Sequence, residues 1–270
     1  ILIQYKNQLL VRKISSSDES KKFNFHNEWL NFNNKFKFVP RIISTGKIGQ
    51  AHYIDLEYID DSQSLSEFIN HNDISSTVRV LKEIIVKLDG TIYKKSNPIS
   101  DESILINYVD QKVFKKIDEV KLLSIELELL YQYENIQING SDYLNLPNCI
   151  NLIMNNKKMI NLLSSFNQSD IHGDLTLENI IVKNDKFFLI DPNNENLISD
   201  KIVDYAKLFQ SLNSGYEFLT KQSKVTIDKD KIFFIDNKSY QYEETFKQLV
   251  IFLNTRISKD QLSSIYFHEG

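Results

Sequence analysis

The sequence predicts an α+β fold, with a β-rich N-terminal part followed by a larger, mainly helical part. Residues Ile1 to Ile14 alternate loosely between apolar and polar and break at Asn7-Gln8, which indicates a hairpin. Tyr53 to Ile59 is a compact strand candidate. From Ser75 to Tyr93 apolar residues recur every three or four positions, which predicts a long helix, and Tyr240 to Thr255 predicts a closing amphipathic one.

The composition is that of an ordinary globular protein. The chain has 270 residues, 41% hydrophobic and 25% charged, enough for one large domain or a two-lobed one. A net charge of -4 does not indicate a nucleic-acid-binding protein, which usually carries an excess of positive charge. No apolar run approaches the ~20 residues of a membrane span, and no signal peptide is visible. Cys149 is the only cysteine, which suits a reducing cytoplasm, the location we expect.

The second strand of the N-terminal hairpin places Val11 and Lys13 on one face. The polar residues that follow, 15–20, are rich in helix starters. Phe25, Trp29 and Phe32 then recur at helical spacing, which predicts a helix behind this strand.

The most specific pattern lies between Ile171 and Asp191, which reads IHGDLTLENIIVKNDKFFLID. Two short apolar runs, 180–182 and 187–190, flank a polar turn and predict a second hairpin. Phosphoryl transfer from Mg-ATP needs one Asp at the acceptor hydroxyl, and an Asn and another Asp on magnesium. Asp174, Asn179 and Asp191 supply these groups in order. The alternative is that His172 and Asp174 only cap a turn beside a buried hairpin.

The motif HGDLTLEN, followed by FFLID, resembles that of the aminoglycoside phosphotransferase and choline kinase family of small-molecule kinases. Gly173 stands where protein kinases have Arg, and Pro192-Asn193 where they have Phe-Gly. The resemblance implies a bilobal, protein-kinase-like fold with an N-lobe over residues 1–60 and a C-lobe over 61–270. A helical acceptor-binding insertion is expected over residues 96–170.

The resemblance also implies roles for the N-lobe. Lys13 would hold the nucleotide phosphates, with Arg12 as the alternative one residue out of register. Glu28 would pair with Lys13, although a surface Glu on an amphipathic helix is common. The carbonyl of Glu57 and the amide of Ile59 would meet adenine, unless this segment is a plain core strand.

In the C-lobe, His172 and Asp204 are expected to support the catalytic loop, Asp204 from below, although it could also be a helix N-cap. An aromatic and acidic acceptor pocket would suit a cationic amino-alcohol. The candidates for its lining are Tyr108, Tyr131, Tyr133, Tyr143, Asp101, Glu102 and Asp110.

The predicted function is transfer of the γ-phosphate of ATP, with Mg²⁺, to a hydroxyl of a sugar, amino-alcohol or aminoglycoside-like molecule. The motif sequence most resembles proteins of bacterial surface-polysaccharide (capsule) synthesis.

The family's Gly-rich loop is missing, because every glycine, from Gly46 on, follows Lys13. The chain is therefore expected to begin within the small lobe, or to be a module of a longer protein. The alternative is that this member covers the phosphates with a loop that has no glycines. A catalytically silent nucleotide-binding or assembly module is the alternative. A protein kinase is disfavoured by Gly173 and by the short connection from Asp191 to Asp204.

Overall fold

The computed structural model describes residues 1–15, 20–184, 186–193, 195–222 and 224–269. The helix-start signals predicted at residues 16–19 lie outside them. The predicted α+β, two-lobed architecture is confirmed, with a sheet in the N-terminal region and helices dominating the remainder.

The N-terminal lobe is an antiparallel sheet with one long helix packed beside it. Its strands run in the order β1-β2-β4-β3. Its elements are β1 (Leu2–Tyr5), β2 (Gln8–Ile14), α1 (Ser20–Asn33), β3 (Ile42–Ile48) and β4 (Ala51–Glu57). The β1–β2 turn is at Lys6-Asn7, one residue earlier than predicted. Both turn residues have positive φ (46° and 63°), the backbone that two-residue hairpins favour.

The C-terminal lobe begins with β5 (Gln63–Ser64), α2 (Leu65–His71) and α3 (Ile74–Gly90). Helix α3 begins where the Asp73 side chain accepts a hydrogen bond from the amide of Ser76 at 2.9 Å. It matches the helix predicted from Ser75, and its apolar stripe is buried. A 3₁₀ turn, Ile92–Lys94, replaces the predicted last helical turn.

Residues 96–169 contain strands as well as the predicted helices. The elements are β6 (Ser96–Ser100), α4 (Glu102–Val109), α5 (Lys115–Lys121), α6 (Ile125–Leu130), β7 (Asn135–Ile138), β8 (Ser141–Leu144), α7 (Leu146–Met154), α8 (Lys157–Leu163) and β9 (Ser165–Ser169). A five-residue π-helix, Asp110–Phe114, joins α4 to α5. Strand β6 pairs with β9, whose first residues were predicted as helix. Such pairing is set by distant partners and leaves no local period in the sequence.

The remaining elements complete the larger lobe. They are β10 (Ile180–Lys183), β11 (Lys186–Leu189), α9 (Lys201–Leu212), α10 (Tyr216–Gln222), β12 (Val225–Asp228), β13 (Lys231–Phe234), α11 (Tyr240–Leu253) and α12 (Lys259–Glu269). Strands β10 and β11 form the predicted antiparallel hairpin, and β12 and β13 form another. Strand β13 also pairs in parallel with β7, which extends the second hairpin into a sheet with β8.

Two hydrophobic clusters hold these elements. The larger one runs through both lobes, from Trp29 and Ile54 to Leu88 on α3 and Phe209 on α9. The smaller one is separate and consists of Leu105, Val109, Ile150 and Leu163, with partly buried neighbours. Over the described ranges, no helix has the length and apolar character that crossing a membrane requires.

Candidate active site

The catalytic loop, which we define as residues 171–179, is anchored on one buried carboxylate. Asp204, on α9, is fully buried. It accepts hydrogen bonds from the amides of His172 (2.8 Å) and Gly173 (2.7 Å) and from the Tyr93 hydroxyl (2.7 Å). The N-cap of α9 is a different residue, Asp200, which accepts from the Ile202 amide at 3.0 Å. Asp204 therefore contacts the backbone of the loop directly.

Burial sets the charge of the groups around this anchor. Loss of hydration raises the pKa of Asp204 to about 6, although its three donors favour the charged form. The same loss lowers the pKa of His172 to about 4, so its imidazole is neutral at pH 7. His172 Nε2 lies 2.9 Å from the carbonyl oxygen of Ile190, and Trp29 packs edge-on against the ring. The ring thus ties the loop to the end of β11.

Gly173 is the tightest point of the loop. Its φ is +83°, and an added Cβ would lie 1.8 Å from the carbonyl oxygen of Asn193. Its own carbonyl accepts a hydrogen bond from Asn196 Nδ2 at 2.8 Å. No side chain fits here without moving backbone. The glycine that replaces the Arg of protein kinases is therefore required by the close approach of Asn193 and Asn196.

Asp174 and Asn179 are held together. Asn179 Nδ2 donates to the Asp174 carbonyl (2.8 Å) and to Asp174 Oδ2 (2.9 Å). On the other side of the carboxylate, Lys207 Nζ lies 3.8 Å from Asp174 Oδ1. The Asp174 side chain is about one-third exposed, at 34%. An oriented carboxylate open to solvent can meet an acceptor hydroxyl.

Asp191 directly follows the β10–β11 hairpin. The amide of Ile190 donates to the carbonyl of Asn179 at 3.0 Å, which brings the two ends of the hairpin together. Asp191 has φ +58°, a left-handed conformation that costs a non-glycine residue on the order of 1 kcal/mol. It forms an ion pair with Lys13 from β2. The fold thus joins the N-terminal lobe to the end of the motif.

The Lys13–Asp191 pair opens on a cavity of about 210 Å³ between the lobes, which we term the hinge cavity. Glu57, Tyr58 and Ile59 line it at the connection between the lobes. Apolar side chains cover its faces: Val11, Pro40, Leu56, Ile181 and Ile190. Within the described ranges the amide of Ile59 donates to no protein acceptor. A flat apolar group with a polar edge fits this lining.

The side chains of the other predicted N-lobe residues either have protein partners or are exposed. Arg12 points away from the hinge cavity and forms a bidentate ion pair with Asp55 (2.7 and 2.8 Å). The Glu57 side chain binds Arg41, so only its backbone remains for a ligand. Glu28 is exposed on α1, and its pairing with Lys13 stays a prediction.

The donor set suits magnesium better than zinc. The side-chain nitrogen of Asn179 is committed to Asp174, which leaves its amide oxygen as a ligand beside the Asp191 carboxylate. These are hard oxygen ligands. Among the described residues no cluster of three or more His, Cys, Asp or Glu side chains is placed to hold a metal. Mg²⁺ does not need one, because it keeps waters and shares phosphate oxygens.

A second cavity, of about 550 Å³, lies among the helices and is termed the helical cavity. It reaches the catalytic loop at two points, since Lys207 and Asn196 line it and contact Asp174 and Gly173 respectively. Its wall includes four aromatic side chains, Tyr108, Tyr131, Tyr266 and Phe267. Sequence reasoning missed Lys207 and Asn196. Lys207 lies three residues after Asp204 on α9, so helical spacing from Asp204 could have suggested it.

The remaining residues predicted for the acceptor pocket lie outside the helical cavity. Tyr133 and Tyr143 are exposed and do not line it. The predicted acids have other partners. Asp101 caps α4, Glu102 pairs with Lys157, and Asp110 accepts from Gln111.

No protein-family model matches the chain, and no curated protein matches it by sequence. Solved structures do. A glucosamine kinase (crystal form B) aligns over 96% of this chain and 62% of its own, with 11% identity and a TM-score of 0.51. A glucosamine kinase in complex with glucosamine, ADP and inorganic phosphate aligns over 100% and 69%, with 10% identity and a TM-score of 0.51.

An aminoglycoside-3′-phosphotransferase of type VIII aligns over 99% of this chain and 87% of its own, with 11% identity and a TM-score of 0.53. The chain thus has the kinase-like fold of aminoglycoside phosphotransferases, as the motif predicted. The solved structures named here are kinases that act on small molecules. The chain spans less than two thirds of the first glucosamine kinase.

Proposed function

We propose that this protein is a small-molecule kinase that moves the γ-phosphate of Mg-ATP to a hydroxyl group. The observation that carries the proposal is that two carboxylates of the motif, Asp174 and Asp191, lie at different cavities. Asp191, at the end of the motif, lines the hinge cavity, and Asp174 contacts Lys207 in the wall of the helical cavity. A nucleotide in one cavity and an acceptor in the other would therefore converge on these carboxylates.

In this proposal adenine lies against the backbone of Glu57 and Ile59, and Lys13 contacts the phosphates. Asn179 and Asp191 would hold Mg²⁺, which would neutralise charge on the phosphates. The acceptor oxygen forms a bond to the γ-phosphorus, the bond from that phosphorus to ADP breaks, and the hydroxyl proton passes to Asp174. Catalysis then rests on positioning and on charge neutralisation.

The fold supports the proposed division into an N-lobe (1–60) and a C-lobe (61–270). Residues 96–170 would supply much of the acceptor site. The glucosamine of one similar kinase and the name of the aminoglycoside phosphotransferase both favour a sugar-like acceptor. A part in surface-polysaccharide synthesis stays a prediction from the motif wording.

The test separates chemistry from binding. Asp174→Asn should lower phosphoryl transfer by roughly 10²–10⁴, the range of a positioned proton acceptor, and leave nucleotide affinity within a few-fold. Asp191→Asn should instead weaken binding of Mg-ATP. Calorimetry gives the affinities, and ATP consumption with a panel of sugars and amino-alcohols gives the turnover.

Asp170→Asn is the matched control, because Asp170 is exposed and immediately precedes the catalytic loop. It should leave both quantities unchanged. Equal turnover of the wild type and Asp174→Asn would remove the kinase proposal. A catalytically silent nucleotide-binding module would then be the better description.

A further inference from the structure

The charges that line the helical cavity differ from those expected for a cationic acceptor. Three lysines line it, Lys112, Lys116 and Lys207, against one carboxylate, Glu269. His268 adds no charge at pH 7, because burial lowers its pKa to about 4. The formal charge of the lining side chains is therefore positive, although carboxylates outside the lining pair with Lys116 (Glu119) and Lys207 (Asp174).

The single carboxylate is turned toward neutral neighbours. Glu269 is only 6% exposed. Its Oε1 accepts hydrogen bonds from Asn213 Nδ2 (2.9 Å) and from the Ser214 hydroxyl (2.7 Å). A ligand ammonium group would have to displace these donors to reach that oxygen. Oε1 of Glu269 is therefore already committed to two neutral donors.

The lysines are more accessible than this carboxylate. Lys116 is paired with Glu119 at 2.6 Å, and that pair is exposed. Lys112 is exposed and forms no ion pair with any described residue. Lys207 is about one-third exposed and donates to Gln210 Oε1 at 3.0 Å. Its ammonium group stands between the cavity and Asp174, where it offsets the repulsion that Asp174 would exert on an anion.

We propose that the helical cavity accepts a sugar or polyol that carries an anionic group, a carboxylate or a phosphate. The anion lies toward Lys112, and the aromatic wall covers the apolar face of the carbon skeleton. The hydroxyl to be phosphorylated points toward Asp174, past Lys207. This inference rests on the proposed kinase function and replaces the cationic amino-alcohol suggested by the sequence.

The first test compares four related probes by calorimetry without nucleotide: glucose, glucosamine, glucuronate and glucose 6-phosphate. At least one anionic probe should bind about tenfold more tightly than glucosamine. An exposed lysine ammonium group attracts the anion and repels the ammonium group of glucosamine, and the two effects add. The two anions distinguish a carboxylate from a phosphate. Glucosamine binding as tightly as the anions, or no binding of either anion at millimolar concentration, would overturn the proposal.

The second test places the anion in the cavity. Lys112→Gln should weaken binding of the preferred anion about threefold to tenfold and leave the affinity for glucose unchanged. Lys115→Gln is the matched control, because Lys115 begins α5 and does not line the cavity. Equal losses in both variants would contradict the assignment. Loss in Lys13→Ala with none in Lys112→Gln would also contradict it, by placing the anion in the hinge cavity.

Nucleotide binding is measured separately, so that the two proposals can fail separately. If Mg-ADP does not bind but glucuronate or glucose 6-phosphate does, the kinase function fails and the anion site stands. If Mg-ADP binds and only glucosamine is phosphorylated, the kinase function stands and the anion site fails.

Discussion

The catalytic loop and the acceptor-side segment, which we define as residues 102–154, differ in the hydrophobic core that holds each of them. In the loop, His172, Leu175 and Leu177 are fully buried, and the two leucines belong to the large core that joins the lobes. The acceptor-side segment packs on the small cluster around Leu105 and Ile150. It leaves Leu122 (87%), Leu123 (74%) and Ile125 (71%) exposed.

The difference assigns stability and specificity to different parts of the chain. The loop that would perform the proposed chemistry is fixed by backbone hydrogen bonds to a buried carboxylate and by the main core. The segment that would contact the acceptor is attached through few buried side chains. Such a segment can change its lining at little cost to the remainder of the fold. We expect mutations to have correspondingly unequal effects.

The largest expected difference comes from making the same substitution, glycine to alanine, once in each region. Gly173→Ala should destabilise the protein by about 3–4 kcal/mol, because it adds a left-handed alanine and a backbone clash. Gly140→Ala, in the β7–β8 turn of the acceptor-side segment, has a similar φ of +86° but meets nothing within 4 Å. It should cost only about 1 kcal/mol. Denaturant unfolding measures both, and equal losses would break the comparison.

The second prediction concerns the pH dependence of stability that comes from two buried titratable groups, Asp204 and His172. The folded pKa of Asp204, about 6, is above its ordinary 3.8, so its contribution to stability falls as the pH rises from about 4 to 6. The folded pKa of His172, about 4, is below its ordinary 6.5, so its contribution rises as the pH rises from about 4 to 6.5. Each contribution is on the order of 3 kcal/mol, and the two oppose each other.

Removing either group should therefore leave the pH dependence of stability that the other group contributes. In Asp204→Asn the unfolding free energy should climb more steeply between pH 4 and about 6.5 than in the wild type. In His172→Asn it should climb less or fall. His71→Asn, at an exposed position, is the control and should keep the wild-type profile. Parallel profiles in all four proteins would contradict the assigned burial of charge.

The smallest expected effect extends the comparison to the N-terminal lobe. If Glu28 supports Lys13 when nucleotide is bound, Lys13→Ala and Glu28→Ala should weaken nucleotide affinity through one shared contact. Their double mutant should then lose less than the sum, with a coupling of about 0.5–1 kcal/mol. Lys13→Ala combined with Glu83→Ala, on α3 beside Lys87, should be additive. Additive losses for the Lys13–Glu28 pair would show that Glu28 has no part in the site.

The sequence by itself predicted the α+β fold and the β10–β11 hairpin, because these depend on local periodicity and on turn residues. It also predicted that Asp174, Asn179 and Asp191 belong together, because their spacing places them around one hairpin. Long helices such as α3 and α11 were predicted for the same local reason. The helical prediction for residues 96–170 was incomplete, since β6 and β9 pair across 65 residues or more.

Only the tertiary structure decided which distant groups meet. Tyr93 reaches Asp204 across 111 residues, and Lys13 reaches Asp191 from the opposite lobe. The lysines of the helical cavity come from the segment around α5 and from α9, and the acids expected there pair elsewhere. Local patterns record the backbone preferences of neighbouring residues. The charge of a cavity depends on which helices pack around it, and no local pattern records that.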